Sequence, residues 1–398
     1  MNEGRLRLAL HEIPVPDEEG AEERAFRLIE VAAAELTAPP RRVRRWRTAP
    51  VAVALALVAA VVISPAGAAV RGWVDDAVTG THEPSLPALT ALPGPGPLLV
   101  DSPQGAWVVK EDGSKRLLGS YRESTWSPHG LFIGAVADGE LVALDPEGNV
   151  RWAIARQGKL SEPAWSPDGY RIAYREGVSV REVAGDGTSD HLAWPRSAAV
   201  VPAWRPGGGH ALTLVEPNGS LRTIDADTGE SIALTDPGLD PIGLEWSPDG
   251  SRLLVVGRSG LEVRDRSGNL LWRRPAPPGT KIVAASFARG ASRVAAIVSS
   301  SGSPRRSELL LADARGATVS LFSGPGRFSG VSPSQDGRWL LLEWQTADQW
   351  LFFDLAHPQR IRAVSNISAQ FAPGATSPSA FPAVAGWCCR GPALASGP

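Results

Sequence analysis

The residues with chemical potential in this chain are few and scattered. Six histidines, His11, His82, His129, His191, His210 and His357, suit acid–base work or metal ligation. None forms a His-x-x-x-His pair or stands beside a glutamate at zincin spacing. His129 occupies a turn position held elsewhere by aspartate. It reads as an exposed turn residue, with ligand binding as the sharper alternative. Asp168, Asp249 and Asp336 are each followed by glycine (Gly169, Gly250, Gly337) and could be taken for metal ligands. They sit in separate copies of one short motif, and capping their own turns is a sufficient role for them. A serine hydrolase would need a Gly-x-Ser-x-Gly elbow. The nearest stretches, "GRSGLE" and "GVSPSQDG", do not supply it. Cys388 and Cys389, the only cysteines, are adjacent. They read as a reduced pair in the last strand, with a redox switch or interchain bridge as alternatives. Trp339, Trp344 and Trp350 cluster in sequence and are not explained by the repeat; a surface stacking patch is the minor reading of them.

What must position these residues is a repeat. "STWSPHG" at Trp126, "PAWSPDG" at Trp165, "PAWRPGG" at Trp204 and "LEWSPDG" at Trp246 share one pattern. It continues in eroded form as "ASFARGA" at Phe287, "VSPSQDG" aligned on Pro333, and "AQFAPGA" at Phe371. Successive spacings are 39, 39, 42, 41, 46 and 38 residues. Ser-Pro-Asp-Gly suits a type I turn: serine accepts first, proline presets φ, and glycine closes it. Alternating runs such as "YRIAYR" and "SRLLVV" follow as half-buried strands. Second hairpins follow in "LVALDPEGNVRWAI" and "LEVRDRSGNLLWRR". The aromatic before each turn is expected to wedge between neighbouring sheets.

A period near forty with four strands per unit implies an all-β, seven-bladed β-propeller. Six or eight blades are the alternatives. The partial units at Leu98–Trp126 and after Phe371 together make one unit, so the last sheet should be shared between the two ends of the domain. These "WSPDG" turns resemble those of TolB-type and WD-repeat-like β-propellers of exported bacterial proteins. The likeness covers about three quarters of the chain and is most specific at Trp126, Trp165 and Trp246. It implies a module that binds proteins or small ligands without chemistry of its own. "ALDPEGNVRW" and "VRDRSGNLLW" also look like quinoprotein repeats, but no matching cofactor residues accompany them.

Ahead of the repeat, five arginines (41, 42, 44, 45 and 47) precede an uncharged run from Thr48 to Val70. Such a run is long enough to cross a bilayer, and the flanking charge places the amino terminus inside. A cleaved export signal and a buried helix are the competing readings. Residues 1–47 then form a cytoplasmic segment with a short amphipathic helix, in which Phe26, Ile29, Ala33 and Leu36 share one stripe. Residues 71–97, with prolines at 84, 87, 93, 95 and 97, read as a stiff spacer. The propeller spans 98–390 and residues 391–398 form a tail.

The formal charge of −2 argues against a nucleic-acid partner. Of 40 basic residues only Lys110, Lys115, Lys159 and Lys281 are lysine. The expectation is a single-pass bacterial membrane protein whose propeller lies outside, binding an unidentified protein or small molecule at a propeller face. No enzyme activity, cofactor or metal is expected. A transmembrane regulator with the layout of an anti-sigma factor is one alternative function, and a quinoprotein-like enzyme another.

Overall fold

The structure, a computed structural model, describes residues 89–389 apart from 208, 289 and 375–378. The inner segment 1–47, the apolar span 48–70 and the tail 391–398 lie outside the described residues. No helix among those described is long and apolar enough to cross a membrane.

The chain opens with β1 (Leu98–Ser102), β2 (Gly105–Val109) and β3 (Lys115–Gly119). Six four-stranded antiparallel sheets follow in sequence order. Blade 1 is β4 (Arg122–Trp126), β5 (Ile133–Ala137), β6 (Glu140–Leu144) and β7 (Val150–Ala155). Blade 2 is β8 (Leu160–Trp165), β9 (Arg171–Glu176), β10 (Ser179–Ala184) and β11 (His191–Trp194). Blade 3 is β12 (Ala203–Trp204), β13 (Ala211–Val215), β14 (Leu221–Asp225) and β15 (Ser231–Thr235). Blade 4 is β16 (Pro241–Trp246), β17 (Arg252–Gly257), β18 (Gly260–Asp265) and β19 (Leu270–Pro275). Blade 5 is β20 (Thr280–Ala288), β21 (Arg293–Ser300), β22 (Arg306–Ala312) and β23 (Thr318–Pro325). Blade 6 is β24 (Phe328–Pro333), β25 (Trp339–Trp344), β26 (Gln349–Asp354) and β27 (Ile361–Ser365). The one-turn helix α1 (Ile367–Gln370) then leads to β28 (Ala383–Trp387), which pairs with β1 to complete blade 7 in the order β28-β1-β2-β3. The fold is a seven-bladed β-propeller. Its closing sheet takes one strand from the end of the domain and three from its start, so no blade is left with an unpaired seam.

The turns form for the reasons their composition gives. In blade 2 Gly169 N–H donates to the Ser166 carbonyl at 2.9 Å, and Gly169 takes φ +79°. Ser166 Oγ donates to Asp168 Oδ1 at 2.6 Å, while the same oxygen accepts Tyr170 N–H at 3.0 Å. Asp249 and Asp336 do the same for Ser247 and Ser334, each at 2.6 Å. Packing is equally regular, because each anchoring aromatic faces the preceding blade. Trp165 joins Val136 and Leu141 of blade 1, Trp204 joins Ala173 and Val180 of blade 2, and Phe287 joins Leu254 and Val263 of blade 4. Trp126 packs on Leu99 and Val108 of blade 7. Trp246 packs on Val215 and donates its indole N–H to Thr213 Oγ1 at 3.1 Å.

Inner strands have a sheet neighbour on one side only, which leaves some of their N–H groups without ladder partners. Carboxylates of the preceding blade fill part of this need. Asp101 accepts Ser124 N–H at 2.9 Å, Glu123 accepts Glu162 N–H at 2.6 Å, and Glu343 accepts Val384 N–H at 2.9 Å. Glu245 receives Phe287 N–H at 3.2 Å.

Three expectations need correction, and one minor alternative falls. Phe371 does not end an inner strand: it follows α1 and packs edge-on against Trp107, with ring centroids 5.7 Å apart. The seventh anchor is Trp387, because blade 7 takes its inner strand from β28. Cys388 and Cys389 follow that strand rather than lying in it. They occupy the places of the turn serine and proline, and are joined as a buried disulfide. Trp339, Trp344 and Trp350 make no surface patch; all three are buried between blades. Finally, the last part of the spacer belongs to the domain. Leu89 and Leu92 are buried in the core between blades 6 and 7, and Leu92 N–H donates to the Glu111 carbonyl at 2.8 Å.

Candidate functional site

Strand direction alternates within each blade, so the connections divide into two faces. The turns between the first and second strands, and between the third and fourth, share one face, here the turn face. The other connections form the loop face.

On the turn face, blades 1 and 2 frame a cleft of about 810 Å³ lined by Phe132, Arg151, Trp152, Gly169, Tyr170, Arg171 and residues 184–186. Its aromatic character comes from a substitution within the repeat. After the turn glycine, blades 4 and 6 carry Ser251 and Arg338, whereas blades 1 and 2 carry Leu131 and Tyr170. Tyr170 is 69% exposed and Leu131 49%. The neighbouring Phe132 stacks near Trp165, with centroids 6.4 Å apart at 19°. Trp152 is fixed from beneath: its indole N–H donates to the Gly185 carbonyl at 2.9 Å, and Gly187 lies under its ring. A Cβ on Gly187 would come within 2.8 Å of that ring. Arg151 reaches across to Asp145 at 2.9 Å but remains half exposed at the rim. The lining presents flat apolar surface edged by charge of both signs, Arg151 and Arg171 together with Asp186, which suits a planar or apolar group. It contains no serine, threonine, cysteine, histidine or lysine.

A charged cluster adjoins the cleft through Arg171 and ties blade 2 to blade 3. His210 Nε2 lies 3.1 Å from Asp168 Oδ2, and its Nδ1 bonds Asp227 Oδ2. Asp227 Oδ1 accepts Arg171 Nε at 2.8 Å, and the same nitrogen lies 2.7 Å from Glu182 Oε1. Burial pushes the Glu182 carboxyl up to about 7, and the neighbouring Asp227 adds to the effect. Burial acts upward on Asp227 too. Hydrogen bonds from His210, Arg171 and Glu182 outweigh it and hold Asp227 down at about 2. His210 is raised, because its bonds to Asp227 and Asp168 exceed the opposing effect of desolvation. With both ring nitrogens facing carboxylates, the imidazole works as a cationic link between blades.

Of the residues singled out from sequence, Asp168 reaches this cluster. Asp249, Asp336 and their glycines Gly250 and Gly337 stay in their own turns on blades 4 and 6. They do not converge with Asp168, and no grouping of three or more His, Cys, Asp or Glu suited to a metal occurs among the described residues. His129 is exposed at its turn. Sequence reasoning missed Phe132, Trp152, Tyr170 and His210. The signal for two of them was available: Tyr170 and His210 each follow a glycine of the first turn, where the repeat offers a variable position.

No family profile and no curated protein matches the sequence. Solved structures do resemble the fold. Kluyveromyces lactis Hsv2 aligns with a TM-score of 0.51 at 11% identity, covering 65% of this chain and 89% of that one. The Cps50 (Swd1) β-propeller domain of Myceliophteria thermophila aligns at 0.48 and 14% identity, over 62% and 86%. Kuenenia stuttgartiensis hydrazine synthase aligns at 0.49 and 15% identity, over 58% and 76%. Identities this low speak to fold alone, and of the three the Hsv2 alignment carries the comparison.

Proposed function

We propose that the protein is a membrane-anchored binding module, with residues 48–70 as the anchor and the propeller held outside the cytoplasm. It recognises its ligand on the turn face and carries out no chemistry of its own. The observation that carries the binding role is the cleft between blades 1 and 2, where Phe132 and Tyr170 stand exposed beside Arg151, with exposed Leu131 next to Phe132 in the same turn. Exposed aromatics rimmed by charge mark recognition surfaces more than solvated ones. The extracytoplasmic placement rests on the five arginines before an uncharged span, and on the resemblance of the "WSPDG" turns to TolB-type repeats.

In-cell photo-crosslinking from positions 131 and 170, with position 360 on a distant blade as control, tests the binding role. A single partner or ligand class captured from the first two sites and not from the third is the expected result. Turnover of a substrate by the purified chain alone would overturn the non-catalytic reading. Extraction of the protein from membranes by alkaline carbonate would overturn the anchor.

A further inference from the structure

We infer that the loop face of blades 4 to 6 binds a phosphate-bearing anion, gripped between Arg305 and Arg327. This site lies on the face opposite the aromatic cleft and does not depend on it.

Four exposed cations lie along this face: Arg258 in the β17–β18 turn, Lys281 at the start of β20, Arg305 before β22 and Arg327 before β24. Backbone hydrogen bonds join the segments that carry them. Ile282 N–H donates to the Arg258 carbonyl at 2.9 Å, Ser301 N–H to Gly279 at 2.9 Å, and Gly326 N–H to Arg305 at 2.8 Å. These bonds hold the four cation-bearing segments side by side along one face. The segments 257–260, 276–282, 299–306 and 323–328 contain no aspartate or glutamate, although the chain as a whole carries slightly more acid than base. None of the four cations is ion-paired among the described residues. Uncompensated like charge on a fixed ridge raises the local potential and draws in an anion.

At its blade 5–6 end the ridge opens into a cleft of about 790 Å³. Arg305 and Arg327 line it together with Ser301, Ser303 and Thr346. Thr346 Oγ1 accepts Arg327 N–H at 2.8 Å, which leaves its own hydrogen free to donate. Gly326, at φ +82°, lets the backbone pass close to Thr346, where a Cβ would meet that side chain. Two guanidinium groups and three hydroxyls suit a tetrahedral oxyanion with several acceptor oxygens better than a single carboxylate.

The test is calorimetric titration of the full chain with two probes: inorganic phosphate, and dihexanoyl-phosphatidylglycerol below its micellar concentration. Binding should weaken at least about tenfold in R305A/R327A, as expected for loss of charge-assisted bonds, and should fall with added salt. R360A, which removes an exposed arginine far from the ridge, should bind as wild type does. Tighter binding of the lipid probe assigns the site to a headgroup, and tighter binding of phosphate to a soluble ester. The inference is overturned if neither probe binds by about 1 mM, if acetate competes as well as phosphate, or if R360A weakens binding as much as the double variant. All three arginines are exposed, so the variants should melt with wild type, which separates loss of binding from loss of fold.

Discussion

Glu343 offers the sharpest test of how the ring is held closed. Its side chain is buried between blades 6 and 7, where Oε1 accepts the Val384 N–H of β28 at 2.9 Å and Oε2 lies 2.9 Å from Ser329 Oγ. Gly330 faces it so closely that a Cβ would fall 2.6 Å from the carboxyl oxygen. Burial lifts the carboxyl from 4.5 to about 7. A native value above the unfolded one means that the folded state holds the proton longer. The stability this contributes is complete below about pH 4.5 and is lost as pH rises through 7. The displacement corresponds to roughly 3 kcal/mol across that window. In a domain of this size that is a fall in melting temperature on the order of 5 °C or more. Glutamine mimics the protonated acid: its carbonyl keeps the Val384 bond and its amide can face Ser329. E343Q should therefore melt within about 1 °C of wild type at pH 5, since almost no charge is removed there. At pH 8 it should melt several degrees higher. Circular dichroism melts of both proteins at matched ionic strength, from pH 5 to 8, measure this directly. A wild-type profile flat across the range, or an E343Q protein less stable than wild type at pH 8, would show that the carboxyl is ionised and satisfied where it sits.

Other outcomes follow from the same geometry. Glu245, lifted by burial to about 7, should add a second step of the same sign, so E245Q/E343Q should be flatter with pH than either single variant. Trp387→Ala removes the closing anchor, whose indole N–H meets the Pro95 and Gly96 carbonyls at 3.0 Å. A loss of about 3–5 kcal/mol should appear as a lowered denaturant midpoint and faster hydrogen exchange in β1 and β28. His210→Gln should destabilise by about 1 kcal/mol or less, since the cluster is partly solvated. The raised His210 value means that this contribution is present at low pH and fades as pH rises through the imidazolium range, so the variant should differ from wild type at pH 6 and converge with it by pH 9. Tyr170→Ala should leave the melting temperature within about 1 °C, as for an exposed surface residue, while reducing ligand capture at position 131.

The parts of the fold that were legible in the sequence are those where local chemistry is strong. Ser-Pro-Asp-Gly, or Ser-Pro-His-Gly after Trp126, dictates its turn, so Trp126, Trp165 and Trp246 marked their strands without help from the rest of the chain. The errors arose where the motif erodes and tertiary packing takes over. "AQFAPGA" has the look of an anchor, yet Phe371 is drawn into the core beside Trp107 and Trp350, and the closing strand begins a dozen residues later at Ala383. Trp339, Trp344 and Trp350, which the repeat left unexplained, are placed by the same packing: all three are buried between blades. The two clefts were harder still to foresee, because they are defined by departures from the repeat. Leu131 and Tyr170 matter only because Ser251 and Arg338 stand at the matching positions. Likewise, the basic ridge exists only because four loops distant in sequence, each unremarkable alone, are brought to one face and all lack an acidic residue. A propeller keeps its turns and anchors nearly constant from blade to blade, so the informative residues are those that break the pattern at positions facing solvent. On this chain those breaks fall at blades 1 to 3 on one face and blades 4 to 6 on the other, so the two clefts from which we propose recognition differ in chemistry and lie on opposite sides of a single closed ring.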